Sequence, residues 1–119
     1  MAEAGLWMVW GVPARGRERQ ALAVLKESMH QYLADLQRDG KIERFDVAIL
    51  KPQTTELGGF ALIQGSQQQI DILRGDKDFQ VWVNHVQMVA DKFGVIDAWV
   101  DQGITEAIGL YEDAIRRLG

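Results

Sequence analysis

The hydrophobic residues of this chain repeat with two alternating periods, and the order of those periods narrows the fold more than any single residue. Residues 6–12, Leu-Trp-Met-Val-Trp-Gly-Val, are apolar, rich in aromatic and β-branched types, and closed by Pro13. That predicts a strand covered on both faces. From residue 14 to 39 the spacing becomes helical: Leu22, Leu25, Met29, Leu33 and Leu36 form one stripe. Gly40 stands where a left-handed residue ends a helix. Residues 42–51 alternate, with Phe45, Val47 and Ile49 on one side and Arg44, Asp46 and Ala48 on the other, as in a half-buried strand. Residues 52–56 read as a turn, and residues 59–64 as a third strand, apolar on both faces. Ser66 is suited to cap a short helical turn through Leu73. A longer helix is expected from Asp76 or Asp78 to Phe93, with Phe79, Trp82, Val83, Val86, Val89, Ala90 and Phe93 on its apolar side and Gly94 as its cap. Residues 95–101 alternate again. Residues 104–118 carry Ile104, Ala107, Ile108, Tyr111, Ala114, Ile115 and Leu118 on one side of a last helix.

Strand, helix, strand, strand, helix, strand is the split βαβ order of an α+β fold with one antiparallel sheet. It places strands one and three in the middle and strands two and four at the edges. The charges agree: residues 6–12 and 59–64 carry none, whereas Glu43, Arg44, Asp46, Asp97 and Asp101 fall on the expected edges, where charge discourages stray pairing. Right-handed crossovers put both long helices on one face. The second face is expected to receive Arg44, Asp46, Ala48 and Leu50 from strand two, and Asp97, Trp99 and Asp101 from strand four. The central strands add either Trp7 and Val9 or Met8 and Trp10, and either Ala61 and Ile63 or Phe60 and Leu62; the sequence does not choose. Every choice leaves an apolar patch larger than a monomer tolerates. A homodimer is therefore expected.

This element order, with its two-faced strands over residues 6–101, resembles the ferredoxin-like subunit of the dimeric α/β-barrel superfamily. The resemblance implies two bare sheet faces meeting around a shared cavity. Members include cofactor-free oxygenases, haem-degrading enzymes, isomerases and decyclases. The haem-degrading members use an Asn on the first strand region with a Trp and a His on the second helix. Here Trp82 and His85 share the expected helix but stand three apart, and the single Asn is Asn84, between them. The helix at 104–118 is an addition to the minimal unit, expected to dock on its own subunit or on the partner.

Composition closes further classes. The chain has 119 residues, enough for one domain spanning residues 1–119. Its net charge of −4 argues against nucleic acid or an anionic membrane as a partner. There is no cysteine, so disulfides, thiolate nucleophiles and thiolate metal sites are excluded. No window of about 18 apolar residues exists for a membrane span. Glu3 and Pro13 bracket too short an apolar run for a signal peptide, so a cytoplasmic location is expected.

His85 is the candidate general base or ligand at the cavity rim, set against a histidine merely packed on the flank of its helix. His30 falls on the polar side of the first long helix. The two histidines have no metal-ligand spacing, and no metal or cofactor is expected. Arg15, Arg17 and Arg19 form a basic cluster that reads as a solvated patch. Gly58, Gly59 and Gly103 lack a phosphate-loop context, and Ser28, Ser66, Thr54 and Thr55 lack a nucleophile elbow. Arg44 and Asp46 project from one face; Arg44 would offer a fork for a carboxylate or phenolate, and Trp99 a flat surface for a ring. With Asp101 and Trp82 they are the candidate ligand-binding residues. The expectation is a homodimer that binds a small aromatic or carboxylate-bearing molecule between its sheets. A cofactor-free oxygenase or isomerase in the same cavity is the alternative, and a structural or regulatory dimer with a filled cavity the third.

Overall fold

The structure is a computed structural model describing residues 2–53 and 56–119. Thr54 and Thr55, part of the expected turn, lie outside the described residues. Strand β1, Ala4–Trp10, pairs with β3, Gly59–Gly65, on one side and with β4, Gly94–Trp99, on the other. Strand β2, Arg44–Ile49, pairs with the outer side of β3. The order β2-β3-β1-β4, antiparallel throughout, leaves the two uncharged strands in the centre, as expected. The core lies under the helices: Ala4, Leu6 and Met8 of β1 and Ala61 and Ile63 of β3 pack with Leu33, Leu36, Ile42, Ile70, Leu73 and Phe79.

The expected first helix is a composite. It begins at α1, Glu18–Glu27, passes through a π-helical turn at Ser28–Tyr32, and continues as α2, Leu33–Arg38. The stripe follows this division: Leu33 and Leu36 are buried, whereas Leu22 near the start is half exposed. Gly40 has the left-handed conformation its position calls for, φ 73°. Helix α3, Gln67–Gly75, opens with a capping box in which Ser66 Oγ accepts from Gln69 N–H and Gln69 Oε1 accepts from Ser66 N–H. Helix α4, Lys77–Val89, is capped by Asp76 and ends earlier than the sequence suggests. Ala90 takes an extended conformation and bridges to Pro13, so Gly94 opens a strand instead of capping a helix.

One further helix, α5, Gly103–Leu118, leaves the body at the N-terminal end of β1. Gly103 packs so closely on Glu3 that a Cβ there would lie 1.9 Å from the Glu3 carbonyl oxygen. Beyond Gly103 nothing in α5 is buried. The radius of gyration is 16.1 Å, against about 13.5 Å for a compact chain of this length, and the longest dimension is 52 Å. The projecting helix accounts for that difference.

Candidate functional site

The strand register fixes what the helix-free face presents. It forms three rows across β2, β3, β1 and β4: Arg44, Gln64, Gly5 and Ala98; then Asp46, Leu62, Trp7 and Ile96; then Ala48, Phe60, Val9 and Gly94. Trp7 with Val9 and Phe60 with Leu62 are thus the outward sets of the central strands. The expectation for strand four is corrected: Ile96 and Ala98 face this side, whereas Asp97 and Trp99 share their rows with Leu6 and Ala4 of the core. Asp97 accordingly pairs with Arg74 of α3, 3.1 Å away. Trp99 is half exposed at the sheet edge, on the helix side. The alternation misleads because both sides of this edge strand carry apolar residues.

Asp101 still reaches the open face. Its left-handed backbone, φ 47°, turns the chain after β4 and aims the carboxylate at Arg44, whose Nη1 and Nη2 lie 3.3 Å from its two oxygens. Arg44 Nη2 also donates to Gln64 Oε1 at 2.6 Å, and Gln64 Nε2 donates to Asp46 Oδ2 at 2.9 Å. Gln64 is 2% exposed, so its amide is the buried centre of this corner. Asp46, Gln64, Arg44 and Asp101 form one chain of hydrogen bonds that engages both Nη atoms of Arg44. Leu62, Trp7, Phe60 and Ile96 make the rest of the face apolar; Trp7 and Phe60 stack obliquely, ring centres 6.1 Å apart.

The remaining candidates lie elsewhere. Trp82 is on the helix side of the sheet, where its Nε1 donates to Ser28 Oγ at 2.8 Å and its ring meets Tyr32 and Phe79. Ser28 Oγ in turn donates to the Val24 carbonyl. Tyr32 stands half-buried beside it; its hydroxyl has no hydrogen-bond partner among the described residues. Desolvation, reinforced by the carboxylates of Asp76 and Asp78, pushes its pKa up to about 12. His85 is exposed on α4, on the helix side, and so does not meet Arg44, Asp46 or Asp101. His30 is likewise exposed. Among the described residues no cluster of His, Asp or Glu is arranged to hold a metal, and no helix is long and apolar enough to cross a membrane.

Sequence reasoning missed a groove away from the open face. A groove of about 470 Å³ lies beyond the C-terminal end of β1, between α1, the end of α4 and the loop joining β2 to β3. Its walls include Trp10, Val12, Leu22, Leu25, Ile49 and Leu57; Leu50, expected on the open sheet face, also lines it. Backbone hydrogen bonds lace its frame: Gly58 N–H to Trp10, Gly11 N–H to Asp91, and Ala14 N–H to Val89. Gly58 is indispensable to this seam, because a Cβ there would fall 1.9 Å from the Gly11 carbonyl oxygen. The polar groups at the groove are few: Glu18, Gln53, Glu56 and the engaged hydroxyl of Ser28. The hydrogen bond from Lys92 Nζ to Glu56, 2.8 Å, and the charge behind it hold the Glu56 carboxyl below its ordinary range. Val12 and Leu50 fall at the ends of segments read as strands and Leu57 just after the expected turn, and no periodicity joins the three.

No family model matches the chain, and no curated protein matches it by sequence. Solved structures do match. The fold is ferredoxin-like. A dimeric protein of unknown function and ferredoxin-like fold from Bacteroides fragilis NCTC 9343 superposes with a TM-score of 0.57 at 10% identity, covering 82% of this chain and 96% of that one. A dimeric ferredoxin-like protein of unknown function from Jannaschia sp. CCS1 gives 0.59 at 11% identity, covering 82% and 99%. An ethyl tert-butyl ether d (EthD) family protein from Bacillus halodurans C-125 gives 0.57 at 10% identity, covering 82% and 97%. The ferredoxin-like architecture expected from the sequence is thus found in solved structures, with α5 as an addition at the C-terminal end.

Proposed function

We propose that the protein is a homodimer, joined through the open face of its sheet, that binds a small, largely apolar molecule in the groove between α1 and the β2–β3 loop. The observation that carries the binding reading is the make-up of the groove: apolar walls, few polar groups and a volume within the range of small-molecule sites. Its acidic members, Glu18 and Glu56, disfavour an anionic ligand. Ser28 Oγ donates to Val24 and accepts from Trp82, which suits a wall better than a nucleophile. The dimer reading is supported by the exposed Trp7 and Ile96 on the open face and by two neighbours described as dimeric.

A second reading keeps the ligand between the sheets. It rests on the convergence of Arg44, Asp46 and Asp101 at one corner, beside apolar Leu62 and Trp7. A carboxylate bound there would have to displace Asp101 from Arg44.

The two readings separate with the neutral fluorescent probe N-phenyl-1-naphthylamine. With about 17 non-hydrogen atoms at ~0.3 kcal/mol per atom, the probe is expected to bind with a Kd of roughly 0.2 mM. Binding is expected to quench Trp10 and to weaken at least tenfold in Leu22→Trp, which fills the groove, while Arg44→Ala leaves it unchanged. Loss of binding in Arg44→Ala but not in Leu22→Trp would move the site to the sheet face. No binding to the folded wild-type protein would overturn the groove reading.

A further inference from the structure

Among the described residues, the apolar side of α5 is left largely uncovered beyond its root on β4. Ile104, Ile108, Tyr111, Ile115 and Leu118 are each half or more exposed, although they fall on one 120° arc of the helix. The opposite arc carries Glu106, Asp113, Arg116 and Arg117. This is the pattern of a helix that buries one face, not of a solvated tail. A helix of 16 residues with its stripe in water would also be marginal on its own.

The position of its root says what covers it. Asp101, two residues before α5, is bonded to Arg44 on the open face, and Val100 N–H bonds to the Glu3 carbonyl beside Gly103. The stripe therefore begins at the margin of the open sheet face and runs away from its own body. The apolar groove lies at the other end of β1 and is out of its direction.

Area argues for the same partner. Four strands about 4.8 Å apart, each presenting about six residues at ~3.3 Å, give an open face of roughly 400 Å² in projection. A standard stable interface takes about 800 Å² from each partner. The sheet face alone is short of that. A stripe of 16 residues is about 24 Å long and ~10 Å wide. In a two-fold dimer each subunit gives one such stripe and receives another, together roughly 480 Å² in the same projection, which covers the difference.

Resting on the dimer reading above, we propose that α5 is an exchange arm: it lays its apolar stripe on a second copy of the chain, so that both sheets and both arms close the dimer. The test uses the full chain. In the double variant Ile108→Asp/Ile115→Asp, sedimentation is expected to show a dimer dissociation constant raised at least 100-fold, while Glu106→Gln, on the opposite arc, leaves it unchanged. Both isoleucines are more than half exposed, so far-ultraviolet circular dichroism of the dilute variant should match the dilute wild type. Contact in trans is read separately. The chain has no native cysteine, so a nitroxide on Glu112→Cys in unlabelled subunits, mixed with ¹⁵N-labelled wild-type subunits, should broaden amide signals of the labelled partner. If Trp7→Lys dissociates a wild-type dimer but the α5 variant and the nitroxide have no effect, the arm is overturned and the sheet-face dimer stands. A monomeric wild type would overturn both.

Discussion

The corner of the open face built on Gln64 makes a quantitative prediction about what Arg44 is for. Replacing Arg44 by Ala removes two interactions of unequal worth. The ion pair with Asp101 joins side chains that are 49% and 31% exposed, so solvent screening limits it to about 0.2–1 kcal/mol. The bond to Gln64 Oε1 is different, because Gln64 is 2% exposed. An unsatisfied buried acceptor costs about 1–3 kcal/mol. Arg44→Ala is therefore expected to destabilise by ~2–3 kcal/mol in total, most of it through Gln64. In a Gln64→Leu background there is no buried acceptor left to strand, and the same change should cost under ~1 kcal/mol. The coupling from the double-mutant cycle is then about 1–2 kcal/mol. The assay is urea unfolding at one fixed protein concentration, since association contributes to apparent stability. Additive effects within ~0.3 kcal/mol would refute the reasoning and show that Arg44 does not hold the Gln64 amide.

Two further predictions concern stability. Tyr32→Phe removes a hydroxyl that has no partner among the described residues, so stability at neutral pH should be unchanged or rise by up to ~1 kcal/mol in thermal unfolding. Because the native pKa of Tyr32 is raised above the unfolded value of 10 to about 12, the tyrosine contributes stability below pH 10 that is lost as pH climbs toward 12. The loss is on the order of 1 kcal/mol after discounting for partial exposure, and Tyr32→Phe should abolish that part of the slope. Gly58→Ala drives a Cβ against the Gly11 carbonyl and should cost ~2 kcal/mol or more, with loss of probe binding at the groove; wild-type melting would contradict the close approach.

The frame of this fold is legible in the sequence because it rests on local periodicity and on burial. Two uncharged strands lie in the centre, charged strands at the edges, and Ser66, Asp76 and Gly40 punctuate the helices as their chemistry dictates. What escaped depends on register or on segments far apart in the chain. The sequence places Trp99 on the open face because β4 offers two partly apolar sides, and only its pairing with Ala4 assigns it to the helix side. The π turn at Ser28–Tyr32 leaves no mark on a helical repeat. His85 stands on α4 with its side chain in solvent, on the opposite side of the sheet from Arg44. The groove joins Val12, Leu22 and Leu57, which no spacing rule connects.

Everything proposed for the dimer requires the open sheet face to be covered by a second copy of the chain. Sedimentation equilibrium of the wild-type protein at micromolar concentration tests this directly. A homodimer gives twice the 13.4 kDa chain mass, falling to the chain mass in Trp7→Lys. A wild-type protein that sediments at 13.4 kDa throughout that range, with Trp7 and Ile96 left in water, would contradict it.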